Sequence, residues 1–307
     1  MSLALDTAHP AAARLDSGAP ARRAARRGLA FVAPAALLLL AIYILPLVML
    51  GLFSVTDYQL GAVATRFTGL ENFRRAAADP VFLRALGNTL FYVALVIPGG
   101  VGLGLGAALL VHGRKRSRGF YEVAFFLPVT ATLVAMATVW QFVLHPSLGP
   151  VNAALGWLGL GPVGFLSDPD LLIPTMALIG TWQIAGFNMV LFLAGLSAIP
   201  KDLHEAARLD GARSAIDRFL TVTWPLLGPT TMFVTVTTSI TAFKVFETVA
   251  VLTQGRSGSE TLLYALYLEG FEYFDTGYAA ALTLIFLVLV LLLSLGQTLH
   301  FDRKVHY

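Results

Sequence analysis

Six stretches of this chain run for more than twenty residues without an Asp, Glu, Lys or Arg, and no other property of the sequence limits its fold as strongly. They are 28–56, 85–111, 123–144, 171–199, 221–243 and 277–299. The fifth keeps its apolar pattern to Leu252, through Lys244 and Glu247. A helix rising 1.5 Å per residue needs about 20 residues to cross a hydrocarbon core of about 30 Å, so each stretch is long enough to span a bilayer. Only 13% of the 307 residues are charged, against 57% hydrophobic. Soluble domains carry roughly a quarter charged residues, so this chain lacks the charge to cover a water-facing surface. The expectation is an all-α membrane protein with six transmembrane helices. An even number of spans puts both termini on one side.

The basic residues say which side. Arg14, Arg22, Arg23, Arg26 and Arg27 precede the first stretch. Arg114, Lys115, Arg116 and Arg118 lie between the second and third, and Lys201, Arg208, Arg213 and Arg218 between the fourth and fifth. Arg303 and Lys304 follow the sixth. These are fifteen of the 21 Lys and Arg residues. The opposite loops hold Arg66, Arg74, Arg75, Arg84 and Arg256. The excess of Lys and Arg in cytoplasmic loops sets membrane orientation, so both termini are expected in the cytoplasm. The isoelectric point near 9.3 is then a topology signal, and nucleic acid is not an expected partner. Residues 1–27 read as a basic, disordered cytoplasmic tail, 57–84 as an external loop and 301–307 as a cytoplasmic tail. The first stretch is about twice the 7–15 residues of a signal-peptide apolar region and reads as an uncleaved anchor.

Few residues offer chemistry. Cysteine is absent, which removes disulfides and thiolate sites. There is no P-loop pattern for nucleotide hydrolysis. The six histidines show no helical i, i+4 pair, so no metal site is expected. The glycines between Gly99 and Gly106 do not fit a dinucleotide fingerprint. Gly102 and Gly106 form a small-residue pair four apart, which lets another helix approach closely. Lys244 and Glu247, three apart inside the fifth stretch, would share a helix face and could pair. Ionisable residues in a span usually face a cavity or a partner. Two readings stand for them: a lining of a solute path, with Phe243, Phe246 and Asn188 alongside, or an interfacial pair that locks packing.

The 200–220 loop is the most informative segment. Asp202 and Glu205 have capping-box spacing at the start of a short helix, and Gly211 is a natural helix stop. A second amphipathic stretch carries Ala212, Ile216, Phe219 and Leu220 on one face, and Pro225 precedes the fifth span. Glu205-Ala-Ala, then Gly211, then Pro225, resembles the EAA loop of binding-protein-dependent ABC importer permeases. The similarity extends through Gly69-Leu-Glu-Asn-Phe, Asn88-Thr, Leu127-Pro, Trp140, Gly149-Pro-Val-Asn, Thr181-Trp-Gln, Leu193-Ala-Gly-Leu, Phe243-Lys-Val-Phe-Glu, Leu252-Thr and Gly277-Tyr-Ala-Ala-Ala. It is closest to the carbohydrate-uptake branch, of the maltose and glycerol-3-phosphate type. Two departures stand out: Gln254-Gly-Arg-Ser-Gly replaces a Gly-Gly-Pro-like turn, adding Arg256, and Glu247 stands where the branch usually has Asp.

The resemblance implies a type I importer fold, with residues 85–300 as its core. It implies a multi-pass subunit of the bacterial inner membrane that pairs with a second homologous permease subunit. Two ABC ATPase subunits would bind ATP and Mg and receive the loop through Glu205, Ala206, Ala207, Asp210 and Gly211. An extracytoplasmic solute-binding protein would deliver a carbohydrate, polyol or glycerol phosphate. The chain itself would bind no cofactor and catalyse no reaction. The rival expectation is a stand-alone secondary transporter or channel, which would need coupling-ion carboxylates near the midplane.

Overall fold

The computed structural model describes residues 18–114 and 116–302. Apart from one isolated antiparallel bridge between Thr56 and Phe67, the secondary structure of these residues is helical. The chain divides after Leu50 into two compact units.

The first unit holds α1 (Gly18–Leu39), a wide π turn at Leu40–Ile44, and the start of α2 (Leu45–Ser54). Pro46 has no N–H to give the carbonyl of Ile42, and the wide turn precedes it, where a helix adjusts around a missing bond. Residues 18–27 are helical, which corrects the expected disordered tail over that part. Residues 1–17 and 303–307 lie outside the described residues. None of the most apolar window of this first span is buried.

The second unit contains α3 (Glu71–Ala78), α4 (Pro80–His112), α5 (Arg118–Thr130), α6 (Leu133–Val143) and α7 (Pro150–Trp157). Then come α8 (Pro169–Ala198), α9 (Lys201–Leu209), α10 (Ala215–Arg218), α11 (Trp224–Leu226) and α12 (Gly228–Phe243). It closes with α13 (Glu247–Leu252), α14 (Leu262–Tyr267) and α15 (Thr276–Asp302). Among the described residues five helices are long and apolar enough to span a membrane, or six if one bent pair counts as a span. That pair corrects the third stretch, expected to be continuous: α5 and α6 meet at 98°. Pro128 interrupts the bonding near the end of α5, and Thr132 accepts a hydrogen bond from the Ala135 N–H at 3.4 Å to start α6 afresh. The fifth span breaks as well, between Phe243 and Glu247.

The two longest inner helices, α4 and α8, both begin with Asp-Pro. Asp79 and Asp168 accept hydrogen bonds from the backbone N–H groups that follow them, and Pro80 and Pro169 occupy the first helical position, where no donor is lost. The helices lie in close contact over glycines. A Cβ on Gly100 would sit 2.6 Å from Ile184 Cγ2, and one on Gly104 2.5 Å from Asn188 Cβ. A Cβ on Gly102 or Gly106 would meet nothing within 4 Å. Close packing inside the chain therefore falls on glycines offset by two from the pair the spacing suggested. The buried Asn188 fixes a third helix: its amide donates to Thr238 Oγ1 at 3.0 Å, and the same hydroxyl lies 3.2 Å from Asn188 Oδ1. Gln297 of α15 donates to Ser239 Oγ on α12 at 2.8 Å.

Outside the spans, asparagines hold the loops. Asn72 donates to the carbonyls of Ser54 and Thr56. Asn88 donates to those of Gly258 and Glu260. Asn152 joins the carbonyls of Leu144, His145 and Val163 and accepts from the Val163 N–H. Each satisfies backbone groups that irregular chain leaves unpaired. Gly104→Ala is expected to destabilise the purified protein by about 1–3 kcal/mol, read as a lower Tm, while Gly102→Ala lowers it little or not at all. Equal Tm values for the two variants would remove the α4–α8 contact from its central place.

Candidate translocation site and coupling loop

Both helix breaks border one cavity of about 400 Å³. Tyr92 and Val96 of α4, Val129 of α5 and Leu133 of α6 line it. So do Gln183, Ile184 and Phe187 of α8 and Thr241 of α12, and Lys244, Glu247 and Thr248 come from the break and the helix after it. Mostly apolar walls with a few converging polar groups are what a small-solute site requires.

Lys244 and Glu247 reach this cavity by a route that the i, i+3 spacing did not foresee. The helix ends at Phe243, so the two side chains do not share a continuous helical face. Among the described residues neither makes an ion pair within 4 Å. Lys244 is exposed and Glu247 half-buried. The other three candidates sit elsewhere. Phe243 is 2% exposed in the core. Phe246 packs its ring against Tyr264 and Tyr267. Asn188 is committed to Thr238 and to the glycine contact with α4. Tyr92, Gln183, Phe187 and Thr248 join the site without being expected from the sequence. Only Gln183 carried a sequence signal, as the end of Thr181-Trp-Gln.

Between the end of α8 and the start of α12, residues 199–227 form an elbow of α9 and the short helices α10 and α11. α9 begins at Pro200 without a side-chain cap, so Asp202 does not serve as the expected N-cap. The capping box instead starts α10: the Asp217 N–H donates to Ser214 Oγ and the Ser214 N–H to Asp217 Oδ2. Hydrogen bonds from Ser214, its hydroxyl first, hold the Asp217 carboxyl below its ordinary value. That contribution to the elbow is complete above the usual carboxylate pKa and is lost as pH falls through the lowered one. α9 ends as the spacing predicted. Gly211 has φ +100°, and the Ala212 N–H bonds back to the Ala207 carbonyl at 2.9 Å, closing the helix in a Schellman turn. Ala206, Ala207, Asp210 and Gly211 line a groove against Leu220 and Leu226. Glu205 is exposed. Leu209 and Ile216 are 90% and 69% exposed beside the groove, an apolar surface in an otherwise polar loop.

The family described as binding-protein-dependent transport system inner membrane component matches residues 100–307. The chain belongs to this family. It is 32% identical over 250 residues to the sn-glycerol-3-phosphate transport system permease protein UgpA of Agrobacterium fabrum, covering 80% of this chain and 84% of that one. It is 31% identical over 272 residues to the arabinooligosaccharides transport system permease protein AraP of Bacillus subtilis, covering 86% and 85%. A chain of a bacterial alginate ABC transporter, crystallised with an alginate pentasaccharide-bound periplasmic protein, has the same fold: TM-score 0.81, 23% identity, 94% and 98% coverage. The chain is thus a multi-pass permease subunit of an ABC transporter and is not itself catalytic.

The end of the permease that carries the starts of α4 and α15 is braced. Arg75 pairs with Asp275 at 2.6 Å, lies 3.8 Å from Glu269, and stacks 3.8 Å over the Tyr278 ring. Tyr278 donates to Asp79 at 2.8 Å, so one arginine joins the caps of α4 and α15. Burial pushes the Glu269 carboxyl up, with Arg75 opposing. Arg256 donates to Gln254, two residues before it, at 3.0 Å and is not among the cavity-lining residues. Thr89 accepts from the Leu262 N–H at 2.8 Å in a fully buried position. Thr89→Val is expected to cost about 1–3 kcal/mol, the penalty of a buried unpaired donor, and to speed hydrogen exchange of the Leu262 amide. Unchanged exchange would show the loop is held by Asn88 alone.

Proposed function

We propose that the chain is one of two permease subunits of an ATP-driven importer in the bacterial cytoplasmic membrane, and that it passes a carbohydrate, polyol or glycerol phosphate by alternating access. The relatives named for glycerol 3-phosphate and arabinooligosaccharides support that solute class. An extracytoplasmic binding protein delivers the solute to the braced external loops. Of two ATPase subunits, which hold ATP and Mg, one grips the 200–220 loop by Glu205, the Ala206–Ala207 face, Asp210 and the Gly211 turn.

One observation carries the reading. The groove of the elbow lies where α8 ends and α12 begins, and the cavity with Lys244 and Glu247 lies at the far end of α12 and midway along α8, the two helices that Asn188 and Thr238 bind together. A push on the elbow would move both helices as one body, and the break at Lys244 is where that body meets the solute. Two-state rocking of this kind needs only that the ATP-bound partner favour one arrangement.

In the assembled complex, Glu205→Arg with Gly211→Trp is expected to reduce binding-protein-stimulated ATPase about 5–150-fold, the span of a coupling free energy of about 1–3 kcal/mol, while the subunits still co-purify. Full stimulation would sink the coupling assignment. Lys244→Met and Glu247→Gln are expected to lower uptake without lowering assembly. If they lower assembly alone, the two residues lock packing instead. Uptake by the purified chain with no ATPase, driven by an ion gradient, would make it a secondary transporter.

A further inference from the structure

The α4–α8 contact leaves Gly102 and Gly106 over: a Cβ on either would meet nothing within 4 Å. They open on a groove of about 610 Å³ between α4, α5 and α8. Ala124 and Pro128 of α5 and Thr181 and Ala185 of α8 share its lining, which is almost wholly apolar. Gly102, Gly106 and Ala124 are exposed, and Leu110, at the end of the lining on α4, is 70% exposed. The groove shares no lining residue with the cavity at Lys244 and Glu247.

Its length and its charge pattern say what fits. On α4 the lining runs from Gly102 to Leu110, two residues short of the helix end. On α8 it reaches back through Thr181, which lies against Gly99, to Leu178. At 1.5 Å per residue the groove is roughly 20 Å long, a little over one leaflet of a core of about 30 Å. A spanning helix would outrun it, whereas a phospholipid acyl chain matches its length. Beyond Leu110 the chain turns into α5 through Arg114-Lys-Arg-Ser-Arg118. Residues 113–123 hold one carboxylate, Glu122, and Arg118 takes it at 2.7 Å. Among the described residues Arg114 and Arg116 have no carboxylate within 4 Å. Arg114 lies 5.0 Å over the Tyr121 ring.

We propose that this groove holds an acyl chain of one anionic phospholipid, whose phosphate is received by Arg114 and Arg116. Guanidinium groups donate to phosphate oxygens in charge-assisted hydrogen bonds, and basic residues beside a span attract anionic head groups. A zwitterionic lipid brings its own cation, which cancels most of that attraction. The site lies in the leaflet that meets the loop between α4 and α5, cytoplasmic in the importer reading. It is independent of the solute. The buried glycines Gly100 and Gly104 hold α8, and the lipid covers the open pair beside them.

The test places the complete complex in phosphatidylcholine vesicles with a trace of phosphatidylglycerol, or of phosphatidylcholine, that carries a photoreactive diazirine in its acyl chain. Labelled peptides of this chain are mapped by mass spectrometry. Labelling within 102–110 and 124–128 is expected to be at least about fivefold higher with the phosphatidylglycerol probe, the factor that one basic residue near an anionic surface contributes. Unlabelled phosphatidylglycerol is expected to compete, and phosphatidylcholine not. Arg114→Gln with Arg116→Gln is expected to remove the preference, and Gly106→Leu, which fills the groove, to remove the labelling. Equal labelling by the two probes would overturn the anionic site. So would no labelling by either, and cross-linking of Gly102→Cys to the second permease subunit would then give the groove to a helix. If Gly106→Leu fails to assemble, the arginine variant still decides, because it leaves the groove intact. Binding-protein-stimulated ATPase on the same vesicles tests the importer reading separately. Stimulation with no lipid preference overturns the lipid site alone, and a preference with no stimulation overturns the importer reading alone.

Discussion

The contact of α4 with α8 over Gly100 and Gly104 is the interaction on which the other arrangements depend. In lipid, apolar side chains gain nothing by leaving water, so helices are held by close van der Waals fit and by hydrogen bonds. Here both occur at one place. Gly104 lets the backbone of α4 approach Asn188, and with its Cβ against that glycine Asn188 can turn its amide to Thr238. Three helices are thereby fixed by one small residue and one polar pair. Buried side chains from Phe192 and Leu196 to Val234 complete the packing toward the elbow.

With that frame rigid, the irregular parts become affordable. A broken helix in hydrocarbon would leave unpaired backbone groups at several kcal/mol each, roughly, unless they meet protein or water. The break at residues 131–132 and the break at 244–246 both border the same cavity, so their freed groups can meet water there rather than lipid. The buried Thr261 offsets part of the cost by donating to the Val245 carbonyl in the break at 3.0 Å, and the exposed Gln141 of α6 ties that helix to α13 through the Val251 carbonyl at 2.6 Å. The cavity and the breaks are one feature, since neither would be stable in lipid without the other.

Much of this was legible in the sequence, and the part that was not has a physical reason. Span positions follow from runs without charge, and the Gly211 stop from a backbone conformation that glycine favours. The Asp-Pro starts of α4 and α8 were equally readable. Breaks in spans three and five were not, because an uncharged run measures only how long a segment can remain in lipid, and Pro128 or Lys244 within it does not say whether the helix bends or stops. The GxxxG spacing found the right helix and the wrong face: with glycines at 99, 100, 102, 104 and 106, two pairs four apart compete, and only the position of Asn188 and Ile184 across the contact decides between them. The sequence leaves Asn188 a candidate for the path. The Thr238 hydroxyl that satisfies it is fifty residues away, a distance over which a single sequence carries no pairing information.

The same reasoning gives Lys244 and Glu247 their weight. A charge at the centre of a span costs about 2.5–3.5 kcal/mol on insertion scales, and a pair in contact would offset much of that. These two do not pair, although they lie three residues apart and line one space. Keeping both charges without a mutual ion pair is tolerable only where water reaches them, so the cavity must be wet for at least part of any working cycle. A permanently open wet cavity would leak, and a permanently closed one would strand the charges. The stable solution is a cavity whose access alternates, with the cost of closure met by an outside source of free energy. The chain holds no site for such a source among its described residues. What it does hold, at the far end of the helix that carries Lys244, is an elbow with exposed leucine and isoleucine side chains and a groove for something else to grip.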